Sequence, residues 1–248
     1  MVLKGSGFAS RNFPVHAYLI QTQVGNYLWD TGYAEHFRKA ISSGVYQLYG
    51  RVTPAVFDER QSLRAQLLSD GITSDDIGAL ILSHFHADHI AGVQDFPKAR
   101  LLASASGWQA VRHLKGISAL RRAFLPQLMP LDIERRMNFI ETICERDLPP
   151  ELTPFTRGWD LTGTGEIFVI RLPGHARGHL GAFVLLDHGW ILLASDAAWV
   201  RENYQELRGP SEFSFLIQDN RADYYRTLKL LNELHKRGTV DIKISHQS

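Results

Sequence analysis

A group of side chains that could bind metal ions lies in the segment ILSHFHADHIAG, residues 81–92. His84, His86, Asp88 and His89 fall within six positions at the end of an apolar run. Burying imidazoles and a carboxylate together is costly unless a cation or hydrogen bonds compensate them. In extended backbone, residues two apart point the same way, so His84 and His86 could ligate one ion. Four ligands are more than one ion with an open position usually takes from so short a segment, which favours two neighbouring ions.

The apolar pattern predicts a chain of alternating strands and helices that would carry this cluster. It predicts strands over residues 15–22, 26–32, 74–83, 99–104, 165–174, 181–187, 190–196 and 239–246, and helices over 60–72, 106–116 and 221–238. Two successive sets of strands and helices, each ending near a histidine, predict an α/β fold with two halves packed sheet to sheet, a four-layered αββα sandwich. We interpret residues 1–248 as a single domain and the proline-punctuated residues 117–157 as an insertion.

Composition and charge describe an ordinary globular chain. It is 44% hydrophobic and 21% charged with a formal net charge of +1, which gives no indication of a nucleic-acid partner. The arginine pairs 121–122 and 135–136 are typical of solvated helix faces, and Cys144, the single cysteine, of a small apolar filler. We expect a cytoplasmic protein, because the sequence shows neither an apolar secretory core near its start nor a membrane-spanning run.

Four further segments, together with HFHADH, carry a resemblance to a known family. HFHADH resembles the H-x-H-x-D-H signature of the metallo-β-lactamase-fold hydrolases. The other matching segments, in the family's order, are LWDTG (28–32), LPGHARGHLG (172–181), LLASDAAW (192–199) and ISHQS (244–248). Because the matches extend from residue 28 to residue 246, the resemblance covers nearly the whole chain.

The resemblance implies a site with two metal ions. One ion would be held by His84, His86 and His175, the other by Asp88, His89 and His246, with Asp196 bridging them. The mixed nitrogen and oxygen set suits zinc best, while iron, manganese and cobalt are compatible with it. Asp30 is expected to orient a ligand imidazole, with an Asx-type turn as the alternative. We expect His179 to pack or hydrogen-bond locally and not to be a ligand.

The expected reaction is hydrolysis by a hydroxide that bridges the metal ions. Such a centre polarises a carbonyl and needs no serine nucleophile, and the sequence lacks a G-x-S-x-G elbow. Asp88 and Asp196 are the candidate catalytic residues, with Asp88 relaying a proton to the leaving group. A small-molecule carboxylic ester or lactone is the expected substrate. Its pocket walls are expected to come from residues 42–57 and 117–157.

Within the family, the chain looks most like the branch that opens acyl-homoserine lactones. Several of those lactonases have a tyrosine that contacts the substrate three residues after the bridging aspartate, whereas this chain has Trp199 there. An indole donates one hydrogen bond but cannot act as a phenol, so homoserine-lactone specificity stays open. The alternatives are a glyoxalase II-like thioesterase, a phosphodiesterase and, outside enzymes, a metal-dependent ligand sensor. The sequence leaves the oligomeric state open, and a homodimer is compatible with it.

Overall fold

The computed structural model describes Leu3 and residues 13–246, which form two compact units. The first unit spans Val15–Asn138, and the second contains the described residues on either side of it. The sheet of the first unit contains β1 (Tyr18–Thr22), β2 (Gly25–Trp29), β3 (Ile77–Ile81), β4 (Arg100–Ala103) and β5 (Met137–Phe139). Its helices are α1 (Glu35–Ala40), α2 (Gln47–Val52), α3 (Leu63–Ser69), α4 (Ala87–Ile90), α5 (Ala105–Val111), α6 (Gly116–Leu120) and α7 (Ile133–Arg136).

The topology of the first sheet brings two loops together at one edge. Its strand order is β1-β2-β3-β4-β5, with β1 and β2 antiparallel and β2, β3 and β4 parallel. Parallel neighbours end at the same edge of a sheet, and here Trp29 pairs with Ile81. The next residue, Asp30, donates its N–H to the Ile81 carbonyl at 2.9 Å. The loops that follow β2 and β3 therefore leave the sheet side by side.

The second unit is built around a sheet with the order β11-β10-β9-β8-β7-β6. Its strands are β6 (Glu145–Asp147), β7 (Arg157–Asp160), β8 (Ile167–Arg171), β9 (Leu180–Leu186), β10 (Gly189–Ser195) and β11 (Val240–Ile244), and its helices are α8 (Arg201–Gln205) and α9 (Arg221–Arg237). β10 and β11 are parallel, and the pairs from β10 to β6 are antiparallel. The turn at residues 187–188 joins β9 to β10.

Helix α9 shows how local signals and packing agree in this unit. The Asn220 side chain accepts the Asp223 N–H at 3.0 Å and caps the start of the helix, while Gly238, at φ 66°, ends it in the left-handed conformation. The buried face carries Tyr224, Leu228, Leu231 and Leu234 at helical spacing, and these side chains belong to the core of the second unit.

The predicted strands and helices are confirmed, with differences at their ends. The helix predicted over 106–116 ends at Val111, five residues early. In the stretch 74–83, β3 begins only at Ile77, and Ser74–Asp76 form a 3₁₀ turn. The Asp76 carboxylate accepts hydrogen bonds from the N–H and hydroxyl of Thr73, at 2.8 and 2.6 Å. This local cap competes with extended backbone and delays the strand.

Two side-chain predictions are wrong. Cys144 is exposed and is not an apolar filler. Arg136 does not belong to a solvated helix face, because only 9% of its side chain is exposed. Its guanidinium donates to the backbone carbonyls of Phe96 and Ala99, at 2.6 and 2.9 Å. These carbonyls lie about forty residues earlier in the chain, beyond the reach of a local charge pattern.

The segment predicted as an insertion, residues 117–157, has secondary structure of its own. It contains most of α6, all of α7, β5 and β6, and several 3₁₀ turns. Its role as an insertion and the single-domain assignment stay predictions. Among the described residues, we find no helix with the length and apolarity needed to cross a bilayer.

Candidate metal centre

The histidine cluster occupies the loop between β3 and α4 and continues into α4. His84 and His86 are buried, with 1% and 8% of their surface exposed, and their ring centroids lie 4.4 Å apart. The His84 and His89 rings are 4.0 Å apart. The candidate ligand atoms of His84 and His86 lie within 4.8 Å of each other, as do those of Asp88 and His89. Neutral imidazole is the form that ligates metals.

Asp30 holds this loop through its side chain. Its Oδ1 accepts the Ser83 N–H at 2.8 Å, and its Oδ2 accepts the Ser83 hydroxyl at 2.7 Å. The same Oδ2 lies 2.8 Å from His89 Nδ1. A ring N–H that donates from Nδ1 to a carboxylate leaves Nε2 for a metal ion. Asp30 is thus placed where it can orient the His89 imidazole, which is the role expected from the sequence; the role itself stays a prediction.

The next residue of the D-T-G turn holds the other end of the cluster. The Thr31 N–H and hydroxyl both donate to the His89 carbonyl, at 2.9 and 2.8 Å. The Thr31 hydroxyl oxygen also accepts the Gly92 N–H at 2.9 Å. A Cβ at Gly92 would lie 3.1 Å from the Thr31 Cβ, so the close approach favours glycine there. The turn after β2 therefore fixes α4 at its last residues.

The second unit contains its own group of candidate ligands, His175, Asp196 and His246. Asp196 follows β10 directly and is buried, and its Oδ2 lies 3.3 Å from both His175 Nε2 and His246 Nε2. His246 Nδ1 lies 2.9 Å from the Pro14 carbonyl, where a ring N–H can donate and leave Nε2 facing Asp196. A carboxylate this close to two imidazole nitrogens can share a bound cation with them.

The His175 loop is pinned against the start of α9. The N–H groups of Asp219 and Asn220 donate to the carbonyls of His175 and Gly174, each at 3.0 Å. Gly174 has φ 125°, and a Cβ there would lie 2.2 Å from the Tyr224 nitrogen. Only glycine fits this approach, which explains why it precedes the histidine. The position of His175 is thus set by backbone contacts.

Two aromatic residues accompany this group. Trp199 donates its indole N–H to Asp196 Oδ2 at 3.0 Å, and its ring meets the His175 ring edge-on, 5.7 Å between centroids. The Tyr224 hydroxyl is buried without a hydrogen-bond partner among the residues that the structure describes. Burial, and next the Asp196 carboxylate, raise the pKa of this phenol, so it stays protonated. His179, also buried, lies with its ring 5.7 Å from that of His175.

Three contributors to these groups were missed by sequence reasoning. They are Ser83, Asn203 and Tyr224. Ser83 directly precedes the histidines, and its position in the S-H-x-H stretch was a usable signal. Asn203 and Tyr224 lie on helices without any motif, and only their tertiary contacts identify them.

The remaining predicted features lie outside these groups. Of the expected pocket walls, residues 42–57 expose Leu48, Val52 and Val56, whereas Phe124 and Leu128 are buried in the core. A separate open cavity of about 440 Å³ in the second unit is lined by none of the predicted site residues. Its buried carboxylate, Asp160, already accepts hydrogen bonds from loop backbone, so this cavity is not assigned to the site.

Each unit contains a set of candidate ligands whose chemistry fits divalent cations. The set of the first unit is His84, His86, Asp88 and His89, and that of the second is His175, Asp196 and His246. Both sets combine imidazole nitrogens with carboxylate oxygens, which suits borderline ions such as zinc. Two histidines, His89 and His246, are placed so that Nδ1 can donate to a protein oxygen, Asp30 Oδ2 for His89 and the Pro14 carbonyl for His246, leaving Nε2 for a metal ion. Side chains from the two sets could hold metal ions, and the identity of the metal follows from neither.

Comparisons with known proteins agree with this chemistry. Residues 10–236 match the model of the metallo-beta-lactamase superfamily. A probable metallo-hydrolase from Mycobacterium tuberculosis is 27% identical over 242 residues, covering 92% of this chain and 72% of the relative. The N-acyl homoserine lactonase AiiB from Agrobacterium fabrum is 28% identical over 247 residues, covering 95% and 80%.

A solved structure shows the same fold. The AiiA lactonase variant of Bacillus thuringiensis with bound N-decanoyl-L-homoserine superposes with a TM-score of 0.72 at 21% identity, covering 99% of this chain and 86% of that one. The predicted fold class and the prediction of a metal-dependent hydrolase are thereby confirmed. Because the family model matches residues 10–236, which is most of the chain, the chain belongs to the metallo-β-lactamase superfamily.

Proposed function

We propose that the protein is a dimetal hydrolase that opens lactones or cleaves carboxylic esters. In this proposal His84, His86 and His175 hold one divalent ion, Asp88, His89 and His246 hold the other, and Asp196 bridges them. The observation that carries the two-ion proposal is Asp196 Oδ2, which lies 3.3 Å from the Nε2 atoms of both His175 and His246. Asp196 Oδ1 also lies 3.3 Å from His246 Nε2, so the carboxylate as a whole lies between the two imidazoles, where its two oxygens could contact two ions.

The chain's own residues divide the work of the reaction. Two bound divalent ions would supply an activated water and polarise the substrate carbonyl. Asp196, with 5% of its side chain exposed, fixes the spacing of the ligands. Asp88 has 15% of its side chain exposed and is the carboxyl group that a substrate can reach. It accepts a proton and donates it to the leaving oxygen. Asp30 holds the His89 ring in the tautomer that ligates.

The proposed substrate class is a small lactone, N-acyl homoserine lactones included. Two similar proteins support this substrate class. AiiB is named as an N-acyl homoserine lactonase, and this chain covers 80% of its length. The AiiA variant has N-decanoyl-L-homoserine bound at its active site. At the position where several acyl-homoserine lactonases have a substrate-contacting tyrosine, this chain has Trp199, whose indole N–H donates to Asp196. We therefore propose lactone or ester hydrolysis as the reaction and leave the acyl group to the assay.

Zinc is the proposed metal, because five imidazoles and two carboxylates form a borderline donor set that zinc prefers and that magnesium and calcium do not. Iron, manganese and cobalt are the alternatives that a metal analysis would separate. A small-molecule substrate accords with the ligands named in the solved lactonase structures. The cytoplasmic location and the oligomeric state stay predictions.

The test is a substrate panel on protein whose metal content has been measured. The panel contains a short and a long N-acyl homoserine lactone, a p-nitrophenyl ester, a thioester and bis-p-nitrophenyl phosphate. We expect two equivalents of metal per chain and the highest kcat/KM on a lactone or ester. Highest activity on the thioester or the phosphodiester would replace the proposed reaction by one of those, and two bound ions without turnover would favour a ligand sensor.

Ligand variants connect the metal to the activity. His84→Ala, His86→Ala and Asp196→Ala should each lose metal and reduce turnover by several orders of magnitude. The matched control is His188→Ala, since His188 is exposed in the turn between β9 and β10. It should keep both metal and activity. A metal-depleted Asp196→Ala protein with full hydrolytic activity would refute the proposal.

A further inference from the structure

Trp199 makes a contact with Asp196 that neither family membership nor the ligand pattern requires. Its indole N–H donates to Asp196 Oδ2 at 3.0 Å. The same oxygen lies 3.3 Å from the Nε2 atoms of His175 and His246. The indole ring also meets the His175 ring edge-on at 77°. One side chain thus touches two of the proposed ligands and binds the oxygen that faces both imidazoles.

The Asn203 side chain holds the backbone around Trp199 in place. The N–H groups of Trp199 and Val200 both donate to the Asn203 side-chain oxygen, at 2.9 and 3.1 Å. The Asn203 amide nitrogen donates to the Arg208 carbonyl at 2.8 Å, and Asn203 is fully buried. A buried amide with three satisfied hydrogen bonds is a rigid anchor. The indole therefore approaches Asp196 from a fixed backbone.

The chemistry of indole limits what Trp199 can do. Its N–H is a donor only, and it can neither ligate a metal nor exchange a proton as an acid or base. With its single donor on Asp196, it has none left for a substrate carbonyl. A donor to a ligand carboxylate fixes its orientation, and removing such a contact commonly lowers metal affinity by about 10–100-fold.

We propose that Trp199 is a positioning residue that holds the Asp196 carboxylate between His175 and His246 and thereby raises the affinity of the site for its metal ions. This inference rests on the proposed function only for the metal centre and not for its substrate. It assigns Trp199 to the metal site and removes it from the set of groups that contact the substrate.

The experiment measures metal binding directly, without a substrate. The full chain is stripped with a chelator and titrated with Co²⁺ and Zn²⁺, and the Co²⁺ absorption bands report the ligand geometry. Trp199→Phe keeps an aromatic ring and loses the N–H. The matched control is Trp190→Phe, because Trp190 lies on β10 and packs against Phe168, 5.9 Å between centroids. We expect at least one Kd to rise by about tenfold or more in Trp199→Phe, with altered Co²⁺ bands, and by less than about twofold in Trp190→Phe.

A second variant separates the hydrogen bond from packing. Replacing Trp199 with β-(3-benzothienyl)alanine keeps the size and shape of the ring and substitutes sulfur for the N–H, so folding should be preserved. We expect the same loss of metal affinity as in Trp199→Phe. Unchanged affinity with the benzothienyl side chain would overturn the proposal, whatever Trp199→Phe does. A wild-type protein that binds two ions but opens no lactone would contradict the proposed substrate and leave this inference intact.

Discussion

The buried Asp30 side chain offers the sharpest test of how the histidine loop is held. Its two carboxylate oxygens accept three hydrogen bonds, two from Ser83 and one from His89 Nδ1, all between 2.7 and 2.8 Å. Asp30→Asn changes the charge and one acceptor but not the size. Because Asp30 has φ 58°, asparagine is the suitable replacement, as it tolerates the left-handed conformation.

The size of the effect follows from the number of donors. An amide has one acceptor oxygen, so whichever way the substituted side chain turned, at least one buried donor would face its NH₂ group. Losing a hydrogen bond to a charged acceptor costs roughly 1.5–3 kcal/mol, and the remaining bonds become weaker neutral ones. We therefore expect the free energy of unfolding to fall by about 2–4 kcal/mol. For a chain of this length that corresponds to a fall in Tm of roughly 4–16 °C.

The assay uses urea unfolding of the metal-free protein, because a bound ion adds its own stabilisation to the folded state. Asp95→Asn is the matched control in the same unit, where Asp95 Oδ1 lies 2.9 Å from His36 Nε2. The His36 side chain is 32% exposed, so this pair should contribute less than about 1 kcal/mol. In a separate titration, Asp30→Asn should also weaken metal binding by about tenfold, since the His89 ring is no longer held.

Two results would refute this reasoning. If Asp30→Asn and Asp95→Asn lost the same free energy of unfolding, burial and the three hydrogen bonds would not be what stabilises the loop. If Asp30→Asn lost stability but bound metal as tightly as wild type, the carboxylate would support the fold and have no part in orienting His89.

Three further predictions concern other positions. Gly174→Ala should lower the free energy of unfolding by about 3 kcal/mol or more, because its Cβ would lie 2.2 Å from the Tyr224 nitrogen. Gly163 has φ +76° and open space around it, so Gly163→Ala should cost only about 1–2 kcal/mol in the same unfolding assay. Equal losses would contradict the steric argument. Tyr224→Phe should melt within a few degrees of wild type, because it breaks no hydrogen bond to any described residue; a large fall in Tm would reveal a partner for the phenol. Hydrogen bonds from the Arg60 side chain, and next from its backbone N–H, lower the pKa of Asp58 from 3.8 to about 2. The stability that this cap contributes is therefore present above pH 3.8 and is lost as the pH falls through 2. A carboxyl ¹³C NMR titration of Asp58 with a midpoint near 4 would contradict this prediction.

The fold was predictable where periodicity and end signals coincided. Helix α9 has an asparagine cap, a buried face at helical spacing and a glycine stop, and its predicted and observed ends differ by one residue. The short helices α6 and α7 show no such agreement. Pro126 and Pro130 lie between them, so the sequence predicts only an irregular segment there. The sequence also gives no signal that Arg136 is buried, because the carbonyls that accept its hydrogen bonds belong to the distant residues Phe96 and Ala99.

In the candidate site, the sequence predicts the ligands better than it predicts the residues that support them. The types and spacing of the proposed ligands are visible in the sequence because metal coordination uses few residue types. The groups that support those ligands are ordinary residues. Ser83 is marked only by its place directly before the histidines, and nothing in the local sequence identifies Asn203. Trp199 shows the limit most clearly: the sequence places it three residues after Asp196, but the direction of its N–H depends on the fold.

Backbone conformation explains how each unit presents its carboxylate. Asp30 follows β2 with φ 58°, and Ser195 ends β10 with φ 46°, directly before Asp196. Left-handed backbone is unfavourable for residues other than glycine and persists only where surrounding contacts enforce it. At Asp30 those contacts are the hydrogen bonds to Ser83 and His89; at Ser195 the register between β10 and β11 shifts, and its carbonyl accepts the Ser245 N–H at 3.3 Å. In both units, therefore, strained backbone at a strand end sets the direction of the carboxylate.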